Sequence, residues 1–130
     1  MLRNDGVITL QGLSTVSETI QALENALTGH GIFIYARIDQ RAEAVKAGLT
    51  IKPMTLLIFG NPGAGIPLMI ANPICGLDLP LKILCWEDND QKTWLSYNSF
   101  TYLQKRFGLP DELIQNILKV EKIIREVVKA

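Results

Sequence analysis

The run Met54-Thr55-Leu56-Leu57-Ile58-Phe59 carries apolar side chains on both of its alternating faces, then stops abruptly at Gly60-Asn61-Pro62-Gly63-Ala64-Gly65. A strand of that composition needs cover on both faces or a place at the centre of a sheet. The glycine-rich break either turns the chain tightly or offers backbone to a ligand, and apolar sequence resumes at Ile66-Pro67-Leu68-Met69. The other segments must therefore build a sheet around this strand and layers against it.

They have the patterns to do so. Val7–Leu10 reads as a first strand, and Thr15-x-x-Glu18 has capping-box spacing ahead of Val16, Ile20, Leu23 and Leu27 at helical spacing. Gly29 or Gly31 can close that helix. Ile32–Ile38 is β-branched and aromatic, so a strand, and Asp39 can cap a short helix ended by Gly48. Pro67 suits the first turn of a short helix, because a proline there loses only an orphan donor. Leu81–Glu87 and Thr93–Tyr97 flank a hairpin turn at Asp88–Gln91. Asn98 or Ser99 caps a helix stopped by Gly108 and Pro110, and Asp111 is read as the cap of a long last helix. That helix carries Leu113, Ile117, Val120, Ile124 and Val127, widened by Ile114, Leu118, Ile123 and Val128. So wide an apolar face is expected on its own core, with a partner helix as the alternative.

A chain of 130 residues fits one domain, 1–130, large enough to bury a core without disulfides or metal. Thirteen basic and thirteen acidic residues cancel, which removes the surplus charge that drives non-specific binding to nucleic acid or anionic membranes. No apolar run approaches the length of a membrane span, and the N-terminal residues lack a targeting pattern. Cys75 and Cys85 stand in no metal or redox spacing and are expected as reduced thiols, with a bridge between them as the alternative. These features predict a cytoplasmic protein with no membrane and no nucleic-acid partner.

Gly60–Gly65 matches the first six positions of a P-loop, but Ile66 and Pro67 stand where its lysine and hydroxyl belong. With no charge for a triphosphate and no ligand for magnesium, a nucleoside triphosphatase is not expected. What remains is either an amide-lined cradle for a small anion or glycines that merely permit an unusual turn. His30, the single histidine, lies at a helix end where a cation suits the macrodipole. No metal-ligand spacing exists, so no metal and no cofactor are predicted. Arg37 and Asp39 alternate on one strand face and can approach one place, either as an anion fork with a base or as a structural pair.

In chain order, YARIDQRAEAVKAGL, LLIFGNPGAGIPLM, NPICGLDLPLKILCWED, TWLSYNS and RFGLPDELIQNI form a pattern. It closely resembles the prokaryotic family called domain of unknown function 302. The resemblance covers the chain from about Gly6 to the last helix. It implies an α+β, TBP-like fold: a curved, mainly antiparallel sheet of about five strands with helices packed on it and a long C-terminal helix, often paired as a dimer. Gln40, Phe107 and Ile66 replace two histidines and a threonine of the usual family pattern, which moves the expectation from enzyme toward binding module.

The resemblance places Arg37, Asp39, Gly60, Asn61, Gly65, Asp78, Lys82 and Tyr97 at polar or glycine positions of its motifs, and Gly63 joins the candidates as part of the glycine loop. The reading that follows is a homodimeric domain binding a small, possibly anionic ligand near Gly60–Gly65. Arg37 would supply charge, the glycine amides would donate, Asn61 and Tyr97 would orient, and Phe59, Leu68 and Met69 would form walls. Two rivals are an enzyme with Asp39 as base beside Arg37, and a structural or protein-interaction module built on the last helix.

Overall fold

The computed structural model describes residues 6–129. Five strands, β1 (Val7–Gln11), β2 (Phe33–Asp39), β3 (Met54–Gly60), β4 (Leu81–Glu87) and β5 (Thr93–Asn98), form one sheet in the order β1-β5-β4-β3-β2. Every neighbouring pair is antiparallel. The helices are α1 (Val16–Gly29), α2 (Gln40–Lys46), α3 (Pro62–Ala71), a 3-10 turn at Pro73–Leu77, α4 (Phe100–Phe107) and α5 (Asp111–Lys129). The α+β architecture with a long C-terminal helix is thus the one expected.

Strand register shows which face each residue serves. Leu57 lies opposite Ile83, Phe59 opposite Leu81, and Cys85 opposite Leu95, and these side chains are all buried. Against them pack Val16, Ile20, Leu23 and Leu27 of α1 and Ile114, Ile117, Ile124 and Val127 of α5. Each fully buried side chain of this size contributes about 1.5–3 kcal/mol. The wide apolar face of α5 is therefore spent on the chain's own core. It is not a free partner seam.

The opposite sheet face is apolar too, yet among the described residues its large side chains are only half-buried. Met54, Leu56 and Ile58 of β3, with Leu84 and Trp86 of β4 and Trp94 of β5, are half-buried and lie outside the core cluster. Trp86 lies opposite Trp94, with ring centroids 6.5 Å apart. The central strand's two apolar faces are accounted for on one side only.

Local caps explain the helix boundaries. Thr15 Oγ1 accepts from the Glu18 N–H, while the Glu18 carboxylate accepts from the hydroxyls of Thr15 and Ser14. Half of a capping box forms, because the carboxylate has nearer hydroxyl donors than the Thr15 amide. Those hydroxyls, Ser14 first, hold the Glu18 carboxyl below its ordinary range. Gly108 ends α4 at φ 62, a left-handed conformation that glycine adopts at least cost.

Three boundaries differ from the expectation. The helix assigned to Pro67 starts five residues earlier at Pro62, because Asn61 caps it, and Pro67 lies inside it. Asp111 does not cap α5; it is the first helical residue, and its carboxylate accepts from Gln104 Nε2. The 3-10 turn Pro73–Leu77, capped by Asn72, was not foreseen.

Candidate functional site

Beside the β3–α3 junction lies a half-open hollow of about 550 Å³. Four parts of the chain wall it. Gly60 to Ile66 and Met69 form one side, and Leu79, Pro80 and Leu81 form the approach to β4. His30, Ile32 and Tyr35 come from the α1–β2 connection and β2. Asn116, Ile117, Lys119, Val120 and Ile123 come from α5. Ile117 and Val120 are core residues whose helix edge also faces the hollow, so the folded core holds this wall in place.

The glycines have a use the sequence did not reveal. None of Gly60, Gly63 or Gly65 adopts a positive φ, so backbone freedom is not what they supply. A Cβ on Gly65 would meet only Leu79 Cδ1 at 3.9 Å, and one on Gly63 only Asn61 Oδ1 at 3.3 Å. Both positions lie in the first turns of α3, where glycine costs about 1 kcal/mol relative to alanine. Their missing side chains leave the hollow open.

The amides of this turn are not an anion cradle. The Gly63 N–H donates to Asn61 Oδ1 at 2.9 Å, and the Ala64 and Gly65 N–H groups both donate to the Asn61 carbonyl at 2.9 Å. They are consumed by the start of the helix. Gly60, Asn61, Gly63 and Gly65 line the hollow, but as shape rather than as donors.

Other expected site residues lie elsewhere. Arg37 Nε donates to Glu24 Oε2 of α1 at 2.6 Å, so its charge is paired on the surface. Asp39 is exposed and accepts from the Ala42 N–H as the cap of α2, which ends its candidacy as a general base. The two share a strand face, yet each meets a different helix. Exposed Lys82 reaches only the Pro80 carbonyl, at 3.3 Å. Tyr97 is buried beneath α5, its hydroxyl donating to Glu121 at 2.8 Å, and burial raises its phenol above the ordinary range. Phe59 and Leu68 belong to the sealed core, and of the three expected walls only Met69 borders the hollow.

His30, Tyr35, Asn116 and Lys119 were missed. The α5 pair had a legible signal: Asn116 and Lys119 directly precede the buried seam residues Ile117 and Val120, where polar edge meets core face. His30 Nδ1 lies 2.9 Å from the Ala26 carbonyl. A carbonyl only accepts, so that nitrogen carries the proton and Nε2 is left free.

Cys75 and Cys85 are buried free thiols, and burial pushes Cys85 up to about 12. Among the described residues no cluster of three metal-ligating side chains exists, and no helix is long and apolar enough to cross a membrane.

Fold and hollow together define an α+β domain with a one-sided antiparallel sheet and an apolar recess at the β3–α3 junction. A family model described as "Domain of unknown function DUF302" matches residues 8–130, and the chain belongs to that family. A crystal structure of an uncharacterized conserved DUF302 protein from Bacillus stearothermophilus superposes with a TM-score of 0.79 at 21% identity, covering 97% of this chain and 98% of that one. That likeness shows the fold. Two curated relatives are named fluoride-specific ion channel FluC 1. The one from Brucella suis biovar 1 (strain 1330) is 38% identical over 106 residues, which is 82% of this chain and 42% of the relative. The one from Brucella abortus biovar 1 (strain 9-941) is also 38% identical over 106 residues, 82% of this chain and 39% of the relative. The chain spans about two-fifths of the length of these relatives.

Proposed function

We propose that this chain is a cytoplasmic small-ligand-binding domain whose site is the hollow between α3, α5 and the start of β4. One observation carries the reading: a recess of about 550 Å³, walled mainly by apolar side chains, with a few polar groups at its margin. Small-ligand sites have that make-up and volumes of about 300–1,000 Å³. The helical glycines at 63 and 65 support it, since they keep the recess open at a cost to helix stability. No residue in it is arranged as nucleophile and base, so binding is favoured over catalysis.

The Brucella name belongs to longer proteins, and its transport activity is not carried over to this chain. A binding domain is compatible with being one part of such a protein. The test is a thermal-shift panel of organic acids, alcohols, amines, nucleotides and fluoride on the full chain. A ligand at 100 times its Kd stabilises by about 2.7 kcal/mol. At least one class should raise Tm, and Gly65→Leu, which fills the recess, should abolish the rise. No shift with any class sinks the reading.

A second reading, compatible with the first, is a homodimer joined through the uncovered sheet face. The observation favouring it is the row Met54, Leu56, Ile58, Leu84, Trp86 and Trp94, which is half-buried and outside the core cluster among the described residues.

A further inference from the structure

The charges and donors around the hollow narrow the ligand class, given the ligand-binding reading. Among the described residues that line it, Lys119 is the one lysine or arginine, and none is a carboxylate. Lys119 takes part in none of the ion pairs among the described residues. Asn116 precedes it by three positions on α5, so both stand on the same side of that helix. A single ammonium beside an amide donor suits one carboxylate.

Richer anions do not fit. A phosphate dianion needs several donors or a second cation. The turn amides that might serve, Gly63, Ala64 and Gly65, already donate to Asn61. His30 spends its Nδ1–H on the Ala26 carbonyl, so only the Nε2 edge of its ring is left to a ligand. Tyr35 and Asn61 add a hydroxyl and an amide to the lining but no second cation, and Ile32, Met69, Leu79, Val120 and Ile123 offer hydrocarbon.

We propose that the hollow takes a monocarboxylic acid with an apolar body. The carboxylate sits on Lys119 Nζ and the Asn116 amide, and the body lies along Val120, Met69 and Leu79. Bare Gly65 gives the body room, since a Cβ there would meet nothing closer than Leu79.

The test is calorimetric titration of the full chain with octanoate, octanol, octylamine and inorganic phosphate. Octanoate should bind more tightly than its neutral and cationic analogues, and phosphate should not bind. Lys119→Gln, an exposed substitution that spares the fold, should weaken octanoate about tenfold or more and leave octanol unchanged, the loss of one charge-assisted hydrogen bond. Gly65→Leu should remove both. Octanol or octylamine binding as well as octanoate overturns the acid preference while ligand binding stands. Octanoate binding that ignores both substitutions places the ligand elsewhere and overturns the proposal. If none of the four probes binds but another class shifts Tm and Gly65→Leu abolishes it, only the acid assignment falls. If nothing binds, both readings fall.

Discussion

The Tyr97 hydroxyl donates to a Glu121 carboxylate oxygen at 2.8 Å, tying β5 to α5 across the buried layer. Tyr97 is 4% exposed, and its ring packs on Phe100 with centroids 5.5 Å apart. Removing only the hydroxyl leaves the ring in place and Glu121 without that donor. Tyr97→Phe is expected to lower unfolding free energy by about 1.5–3 kcal/mol, the scale of a hydrogen bond to a charged group. Urea melts check this. Ligand response should not change, because Tyr97 is remote from the hollow; a lost response would return it to the site.

Gly65→Ala separates shape from conformation. Gly65 has ordinary helical backbone within α3, and an added Cβ makes only van der Waals contact with Leu79. The substitution should raise stability by about 0.4–1 kcal/mol through helix propensity and a stiffer unfolded chain. If the glycine were needed for its backbone, the sign would reverse. Thermal denaturation of the two proteins decides.

The sheet and its helices were legible because alternation and capping are local signals: Thr15, Asp39 and Ser99 each cap the helix expected of them. The glycine turn was misjudged for a physical reason. Gly63, Gly65 and Pro67 are poor helix formers, and nothing local shows that Asn61 will cap and that buried Leu68 will hold the helix on the core. Arg37 was read with Asp39 because strand alternation is visible in sequence, whereas its partner Glu24 lies on another element. Spacing puts Asn116 and Lys119 at the polar edge of the α5 seam, but that this edge meets the recess depends on the packing of α5 across α3, a tertiary relation.

Acid should act through the hairpin. Asp88 Oδ2 accepts from the Trp94 indole N–H at 2.8 Å, and Oδ1 accepts from the Asp90 and Lys92 amides at 2.8 and 2.9 Å. The Trp94 bond first, then that of Lys92, holds its carboxyl below the ordinary range. A group depressed in the folded state stabilises above its unfolded value of about 4 and loses that contribution as pH falls through the folded value. Urea midpoints measured from pH 6 downward should drop more steeply below about pH 4 for the native sequence than for Asp88→Ala. Parallel curves would refute the assignment.

Cys85 sits at the interface between β4 and α1, fully shielded, its thiol pushed up to about 12 by burial. Unfolded, a thiol ionises near 8.5, so the folded state keeps its advantage below that pH and loses it progressively as pH rises above. A disulfide reagent at pH 8 should therefore leave Cys85 unmodified in the native protein and label it at the rate of global opening. Prompt labelling of native Cys85 would show that α1 does not seal the site.

The uncovered sheet face makes the last prediction. Five strands about 4.8 Å apart and up to seven residues long give a face of about 24 by 23 Å, or roughly 550 Å² before side-chain relief. Two such faces in contact bury about 1,100 Å² in total, above the roughly 1,000 Å² that a specific interface needs. Lys82 is the single charged residue of β1 to β5 that shares this face by register, so a second copy brings little like-charge repulsion to it. Leu84, opposite both Leu56 and Ser96, stands at its middle. The chain of 14.5 kDa should sediment at about twice that mass at micromolar concentration. Leu84→Glu should return it to the single mass with its far-ultraviolet circular dichroism intact, because a carboxylate at the centre of a dry interface lacks a partner. A native protein that sediments as one chain at tens of micromolar leaves this face to solvent.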